Sequence, residues 1–123
     1  MPELAGADLE DSWVLGWRHD PAAGRLTIRL EASLWPGHPA YAAPAPGEHT
    51  CYRPAELVFE GVRAVAGLRE QADVPAHRDP DGSSDYGSID ALHRAGEAFR
   101  LAGGMGEVTL TAAGLRLDVR GAG

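Results

Sequence analysis

Apolar and polar residues alternate with a period of two in several separate stretches of the chain, and this feature restricts its fold more than any other. Such alternation is typical of β-strands that bury one face. Residues 13–18 and 25–31 show it on either side of the turn residues 20–24. Because a slip of one residue would expose the apolar set of one strand, the pattern predicts a hairpin in a defined register. The expected pairs on the buried face are Trp17–Leu26, Leu15–Ile28 and Trp13–Leu30.

The C-terminal part of the chain repeats the pattern three times between residues 98 and 119. Short turns that contain glycine separate the three stretches, at 103–106 and 113–114, as in hairpins. We therefore predict a three-stranded antiparallel meander over residues 98–119. Its expected pairs are Leu101–Val108, Phe99–Leu110, Ala112–Leu115, Leu110–Leu117 and Val108–Val119.

The middle of the chain is less regular. Residues 57–62 form a β-prone run, and Pro54 just before it indicates a strand start or a sheet edge. Residues 85–95 fit either a short helix capped by Ser88 or an extended strand, and we favour the strand.

Two stretches lack any periodicity. Residues 35–47 contain four prolines and are expected to form a long ordered loop or a polyproline-like segment, whereas residues 71–85 are expected to form a mobile loop. The remaining chain holds about seven or eight short strands. The predicted fold is a single all-β domain over residues 1–123, an antiparallel sandwich or flattened barrel that ends in the C-terminal meander.

Composition narrows the classes of function. No apolar run approaches the roughly 20 residues that a membrane-spanning helix needs, and the N-terminal residues lack the features of a secretory signal. The single cysteine, Cys51, rules out an internal disulfide framework. These features predict a cytoplasmic protein that has no membrane partner.

The charge of the chain bears on its partners. Eleven arginines stand against eighteen acidic residues, which gives a formal net charge of −7, and the arginines are spread along the sequence. Phosphate backbones repel such a domain unless it has a local basic patch, so we expect no binding to nucleic acid. An acidic surface favours solubility first and a basic protein partner second.

The spacing of acidic and serine residues over residues 79–90 is similar to that of a calcium-binding loop. The sixth position of this stretch is Ser84, where such a loop needs glycine, and its twelfth is an aspartate where glutamate is usual. A solvated loop rich in turns explains the same residues and is the favoured interpretation, so no metal is assigned. The residues at ligand-like spacing are Asp79, Asp81, Ser83, Asp85 and Asp90.

His49 and Cys51 are two residues apart, so a strand would turn both side chains to one face. They could form half of a zinc site or a nucleophilic dyad, but no second pair has ligand spacing. The glycine run at 103–106 lacks the lysine and the following helix of a phosphate loop. We therefore predict neither a cofactor nor a catalytic residue, and an enzyme is the less favoured interpretation.

Aromatic residues cluster in and beside the proline-rich stretch. Rigid aromatic loops supply contact area at low entropic cost, which favours a recognition surface. The alternative is that Trp35 merely closes one end of the sheet packing, while Trp13 and Trp17 are assigned to the core. The candidate binding residues are Trp35, His38, Tyr41 and Tyr52.

Three short motifs mark the strands of this fold: Asp11-Ser12, Leu57-x-Phe59-x-Gly61-Val62 and Leu115-x-Leu117-x-Val119. Together they resemble small uncharacterised bacterial all-β domains, some of which are encoded beside polymorphic toxins and act as immunity proteins. The resemblance implies a non-enzymatic protein-binding domain that inhibits a basic partner. The alternative function is a β-barrel or sandwich that binds a small ligand, with or without catalysis.

Overall fold

A computed structural model describes residues 1–120 of the chain. Short 3₁₀ turns lie at Pro2–Leu4 and Gln71–Asp73, and in this part of the chain no helix is long and apolar enough to cross a membrane. The strands are β1 (Ala7–Asp20), β2 (Arg25–Leu34), β3 (Cys51–Glu60), β4 (Ala64–Ala66), β5 (His77–Arg78), β6 (Ser84–Asp85), β7 (Ile89–Ala95), β8 (Ala98–Gly103), β9 (Gly106–Thr111) and β10 (Gly114–Val119).

The strands form two four-stranded antiparallel sheets. Sheet A has the order β1-β2-β3-β10, sheet B has the order β4-β9-β8-β7, and β5 and β6 form a separate two-stranded ribbon. The sheets are not closed into a barrel, so the prediction of an all-β antiparallel sandwich is confirmed. The strands β4, β5 and β6, each two or three residues long, raise the count above the expected seven or eight.

The core lies between the inner faces of the two sheets. The expected apolar face of β2 is confirmed, because Leu26, Ile28 and Leu30 are at most 1% exposed. Phe59 of sheet A meets Phe99 of sheet B edge to face, with ring centroids 5.3 Å apart. A single cluster of buried apolar residues therefore joins both sheets.

The first hairpin forms, but its expected register is wrong. Trp17 lies opposite Ile28 rather than Leu26, and Trp13 lies opposite Glu31. Asp20 accepts a hydrogen bond from the amide of Ala23, and this closes a turn that pairs Asp20 with Arg25, so the register moves by two residues.

A β-bulge then reverses the alternation within β1. The register shifts between Val14 and Gly16, so that Leu15 is the additional residue. As a result Val14 is fully buried and Trp13 is 41% exposed, which corrects the assignment of Trp13 and Leu15 to the core face. Trp17, on the other side of the bulge, is buried as expected.

The prediction of a C-terminal meander is correct for two of its strands and wrong for the third. Leu101 pairs with Val108 and Phe99 with Leu110, as predicted. The strand β10 instead crosses to sheet A, so the expected pairs Ala112–Leu115, Leu110–Leu117 and Val108–Val119 do not form. Its actual pairs are Leu115–Phe59, Leu117–Leu57 and Val119–Ala55.

Both sheets gain a strand pairing from this crossover. The free edge of β9 is taken by β4, whose Val65 lies opposite Leu110. The free edge of β3, a strand with buried Leu57 and Phe59, is taken by β10. Residues 89–95 are the strand β7, which confirms the extended conformation favoured over a helix.

Candidate functional site

The outer face of sheet A carries the polar side of each strand, and its two ends differ in chemistry. The end near the turn of the first hairpin is rich in arginine. The opposite end carries carboxylates and aromatic rings around Trp13. We call this second region the Trp13 patch, and it consists of Asp8, Asp11, Trp13, Glu31, Glu48, His49 and Tyr52.

Strand pairing brings the Trp13 patch together. Trp13 of β1 lies opposite Glu31 of β2, and Asp8 and Tyr52 both lie opposite Ser33 of β2. Residues directly opposite one another share a face of the sheet. Three strands therefore contribute side chains to one surface.

Buried serine side chains hold the irregular part of β1 in place. The Ser12 hydroxyl donates to the carbonyl of Asp8 at 2.6 Å and accepts from the amide of Ser33 at 2.9 Å. The Ser33 hydroxyl donates to the Asp11 carboxylate at 3.3 Å. Because Ser12 and Ser33 are at most 1% exposed, these bonds position residues 8–13 firmly.

The exposed part of the patch is built around an aromatic and acidic contact. The Tyr52 hydroxyl lies 3.2 Å from Nε2 of His49, and the two rings meet edge to face at 5.6 Å. The same His49 nitrogen lies 3.7 Å from the Asp11 carboxylate. Trp13, beside Tyr52, presents an indole that is 41% exposed.

The carboxylates of the patch crowd one another. Burial raises the pKa of Glu31, and the negative charge of Glu48 raises it further. Burial also raises the pKa of Tyr52; the nearby Trp13 lowers it in part, while Asp11, Glu48 and Asp8 raise it. Each shift disfavours an additional negative charge, so the patch is suited to a cation from outside.

Two of the candidate nucleophiles, Ser33 and Cys51, are buried. The buried Ser33 hydroxyl donates to Asp11, and the His49 side chain is 72% exposed. Cys51 is 1% exposed within the core, where its Sγ accepts from the amide of Ala42 at 3.5 Å. The expectation that His49 and Cys51 share a strand face is therefore wrong, because β3 begins only at Cys51.

The predicted binding residues fall into two groups. Trp35 is 53% exposed, and successive turns link it to the next two: the His38 amide donates to the Trp35 carbonyl, and the Tyr41 amide donates to the His38 carbonyl. Tyr41 is half-buried and packs against the core. Tyr52 belongs to the Trp13 patch, with His49 and Trp13 as its partners.

Sequence reasoning missed Trp13 and the arginines of the other end. Trp13 was placed in the core because the alternation was extended through Leu15 without a bulge. The sequence shows arginines spread along the chain, yet three strands bring Arg18, Arg25 and Arg116 to one groove. Their positions on the polar side of alternating strands are the sequence signal that could have predicted this grouping.

The Asp-rich stretch is the turn of the β5–β6 ribbon. The Ser83 hydroxyl donates to the carboxylates of Asp79 and Asp81, and this donation lowers the pKa of Asp81. Asp90 lies in β7, away from the ribbon turn. Across residues 1–120, no group of three His, Cys, Asp or Glu side chains is placed to hold a metal ion.

The ribbon extends the acidic character of the Trp13 patch. A groove of about 500 Å³ separates the two, with Trp13 and Glu31 on one side and His77, Asp79 and Asp85 on the other. The indole therefore has carboxylates on both sides.

Comparison of the chain with protein-family models, with curated proteins and with solved structures finds no match. The site is interpreted from its own geometry.

Proposed function

We propose that the chain is a non-enzymatic protein-binding domain, of the immunity type, whose Trp13 patch binds a basic surface of another protein. The observation that carries this proposal is the exposed Trp13 indole beside Tyr52, set among the carboxylates of Asp11, Glu31 and Glu48. The proposal includes a cytoplasmic location.

The chemistry of the patch favours an arginine or lysine side chain of the partner. Tryptophan is the best aromatic face for a cation, and such contacts strengthen when they are desolvated. Exposed aromatic residues are also frequent anchors of protein interfaces. A basic side chain over Trp13 would in addition relieve the repulsion between Glu31 and Glu48.

The proline-rich loop supplies the second part of the proposed interface. The Trp35 amide donates to the Gly6 carbonyl at 2.8 Å, so the pairing of β1 with β2 continues to Trp35. Alternation along β2 then places Trp35 on the same side as Ser33, next to the patch. Trp35, His38 and Tyr41 would extend the contact area.

The test begins with a pull-down from a lysate of the source cell, followed by calorimetric titration of the purified partner. Trp13→Ala should weaken the affinity about tenfold or more, as expected for an interface anchor. The matched charge variants are Glu31→Gln in the patch and Glu107→Gln, an exposed glutamate on sheet B. Glu31→Gln should weaken binding, Glu107→Gln should not, and added salt should weaken the complex.

Two results would contradict the proposal. One is a protein partner that binds Trp13→Ala as tightly as the unmodified chain. The other is recovery of a small molecule in place of a protein, which would favour the alternative function of a small-ligand-binding sandwich, with or without catalysis. The arginine-rich end of sheet A is the observation that favours this alternative.

A further inference from the structure

A groove on the outer face of sheet A gathers four arginines from three strands. Arg18 comes from β1, Arg25 and Arg29 come from β2, and Arg116 comes from β10. The groove, which we call the arginine groove, has a volume of about 430 Å³. Two carboxylates also line it, so arginines outnumber acids on its walls.

Three of the four arginines are neutralised by neighbouring carboxylates, and Glu56 is occupied by Arg120. Arg29 differs: over residues 1–120 it has no carboxylate within salt-bridge distance. Arg29 therefore makes no salt bridge there, and Glu56, which lies opposite it on β3, is bound to Arg120. The ion pairs of the others are Arg18–Asp20 (3.6 Å), Arg25–Glu60 (3.3 Å) and Arg116–Asp118 (2.9 Å).

The exposed guanidinium of Arg29 makes one hydrogen bond at the bulge of β1. Its Nη2 donates to the carbonyl of Leu15 at 3.3 Å. Gly16 lies opposite Arg29, and a Cβ on Gly16 would stand only 2.6 Å from that Nη2. The absence of a side chain at Gly16 thus leaves the space that the guanidinium occupies. One of five donors is used, and the others remain for a ligand.

An apolar side chain lies beside these charges. Val58 lines the groove and is 2% exposed; Trp17 also borders the groove, but its side chain lies on the inner face, edge to face with Tyr86. Val58 lies on the outer face of β3, opposite Arg116 and Thr27. The groove therefore offers an exposed guanidinium near an apolar side chain, a combination that small-molecule sites use.

We propose that the arginine groove binds a small oxyanion, a carboxylate or a phosphate, through the guanidinium of Arg29. The planar guanidinium matches both groups with paired hydrogen bonds. Arg18, Arg25 and Arg116 line the same groove but are already paired with carboxylates, so Arg29 is the principal cation for the anion, and Val58 lies on the same face of the sheet. This site is separate from the Trp13 patch and does not depend on it.

The test is a calorimetric or NMR titration with inorganic phosphate and with citrate, at constant ionic strength. Arg29→Gln should weaken saturable binding about tenfold, because it removes the charge-assisted bonds. Arg29→Lys keeps the charge but loses the planar fork, so its effect should be smaller but clear. Arg100→Gln, at an exposed arginine on sheet B, is the matched control and should change the affinity less than about twofold.

Binding of phosphate alone would assign a phosphorylated ligand, and binding of citrate alone would assign a carboxylate. Saturable binding of both supports an oxyanion site of either kind. Absence of saturable binding to both probes overturns the proposal. Equal weakening by Arg29→Gln and Arg100→Gln also overturns it, because the effect would then report net charge alone. Trp13→Ala should leave the titration unchanged, so failure here and failure of the protein-binding proposal are distinguishable.

Discussion

Two glutamates on the outer face of sheet A, one near each end, have pKa values that are shifted in opposite directions. Glu60 lies beside the arginine groove, and its pKa is lowered because Arg116 donates to its carboxylate and Arg25 adds a second bond. Glu31 lies in the Trp13 patch, and its pKa is raised by burial and by the charge of Glu48. One end stabilises the carboxylate, whereas the other destabilises it.

The difference separates charges that are paired within the fold from charges that are not. Glu60 and its two arginines link β2, β3 and β10, so these ion pairs tie strands of sheet A together. The crowded acids of the Trp13 patch oppose folding by their mutual repulsion, a cost that natural proteins accept mainly at functional sites. Arg29, which makes no salt bridge within residues 1–120, is the corresponding charge at the other end.

The largest change in the free energy of unfolding is expected for a substitution on the inner face of sheet A, beneath both regions. Ile28 is fully buried opposite Trp17 and Leu57, so Ile28→Ala should lower the free energy of unfolding by about 2–5 kcal/mol. Thr27→Ala, on the outer face, should cost much less. Urea melts measure both, and equally small losses would show that the inner and outer faces are assigned wrongly.

A smaller effect is expected at the arginine end. Glu60→Gln should destabilise the protein at neutral pH, since it removes the partner of Arg116 and Arg25. The lowered pKa of Glu60 means that the carboxylate contributes stability above its unfolded pKa, and that this contribution is lost as pH falls through the folded value. Thermal melts at several pH values should therefore show a deficit that disappears in acid. A deficit that does not vary with pH would contradict the ion-pair assignment.

The smallest effect has the opposite sign and lies in the Trp13 patch. The raised pKa of Glu31 means that its contribution is most favourable below its unfolded pKa and declines as pH rises through the folded value. Glu31→Gln should therefore stabilise the protein at neutral pH by roughly a few tenths of a kcal/mol, within the range of surface substitutions. Urea melts in acid and at neutral pH check the sign, with Glu107→Gln as control. If Glu31→Gln instead destabilises the protein at neutral pH, the opposite effects assigned to Glu31 and Glu60 are contradicted.

Local patterns predicted the strands well and their long-range pairing poorly. Leu101 and Val108 are close in sequence, so a short turn and one apolar face were enough to define their register. The apolar face of β10 fits either sheet equally, and only competition for the edges of β3 and β9 decides between them. Alternation alone contains no information about that competition.

The candidate site was less predictable because it depends on one bulge and on distant pairings. The additional residue Leu15 turns Trp13 outward, and nothing in the alternation distinguishes it from its neighbours. Tyr52 was identified from composition, but its acidic neighbours come from other strands. Arg29 and Arg116 line one groove only because β10 joins sheet A.

The crossing of β10 to sheet A has a consequence for the order of folding. Leu57 of β3 can pair with Leu117 of β10 only after β10 has been synthesised. The edge of β3 therefore stays unpaired until almost the whole described chain has been made. Pairing across such a sequence separation is slow, and an open apolar edge in the meantime invites association between chains. We expect the β1–β2–β3 sheet to form early and the closure by β10 to limit the rate of refolding.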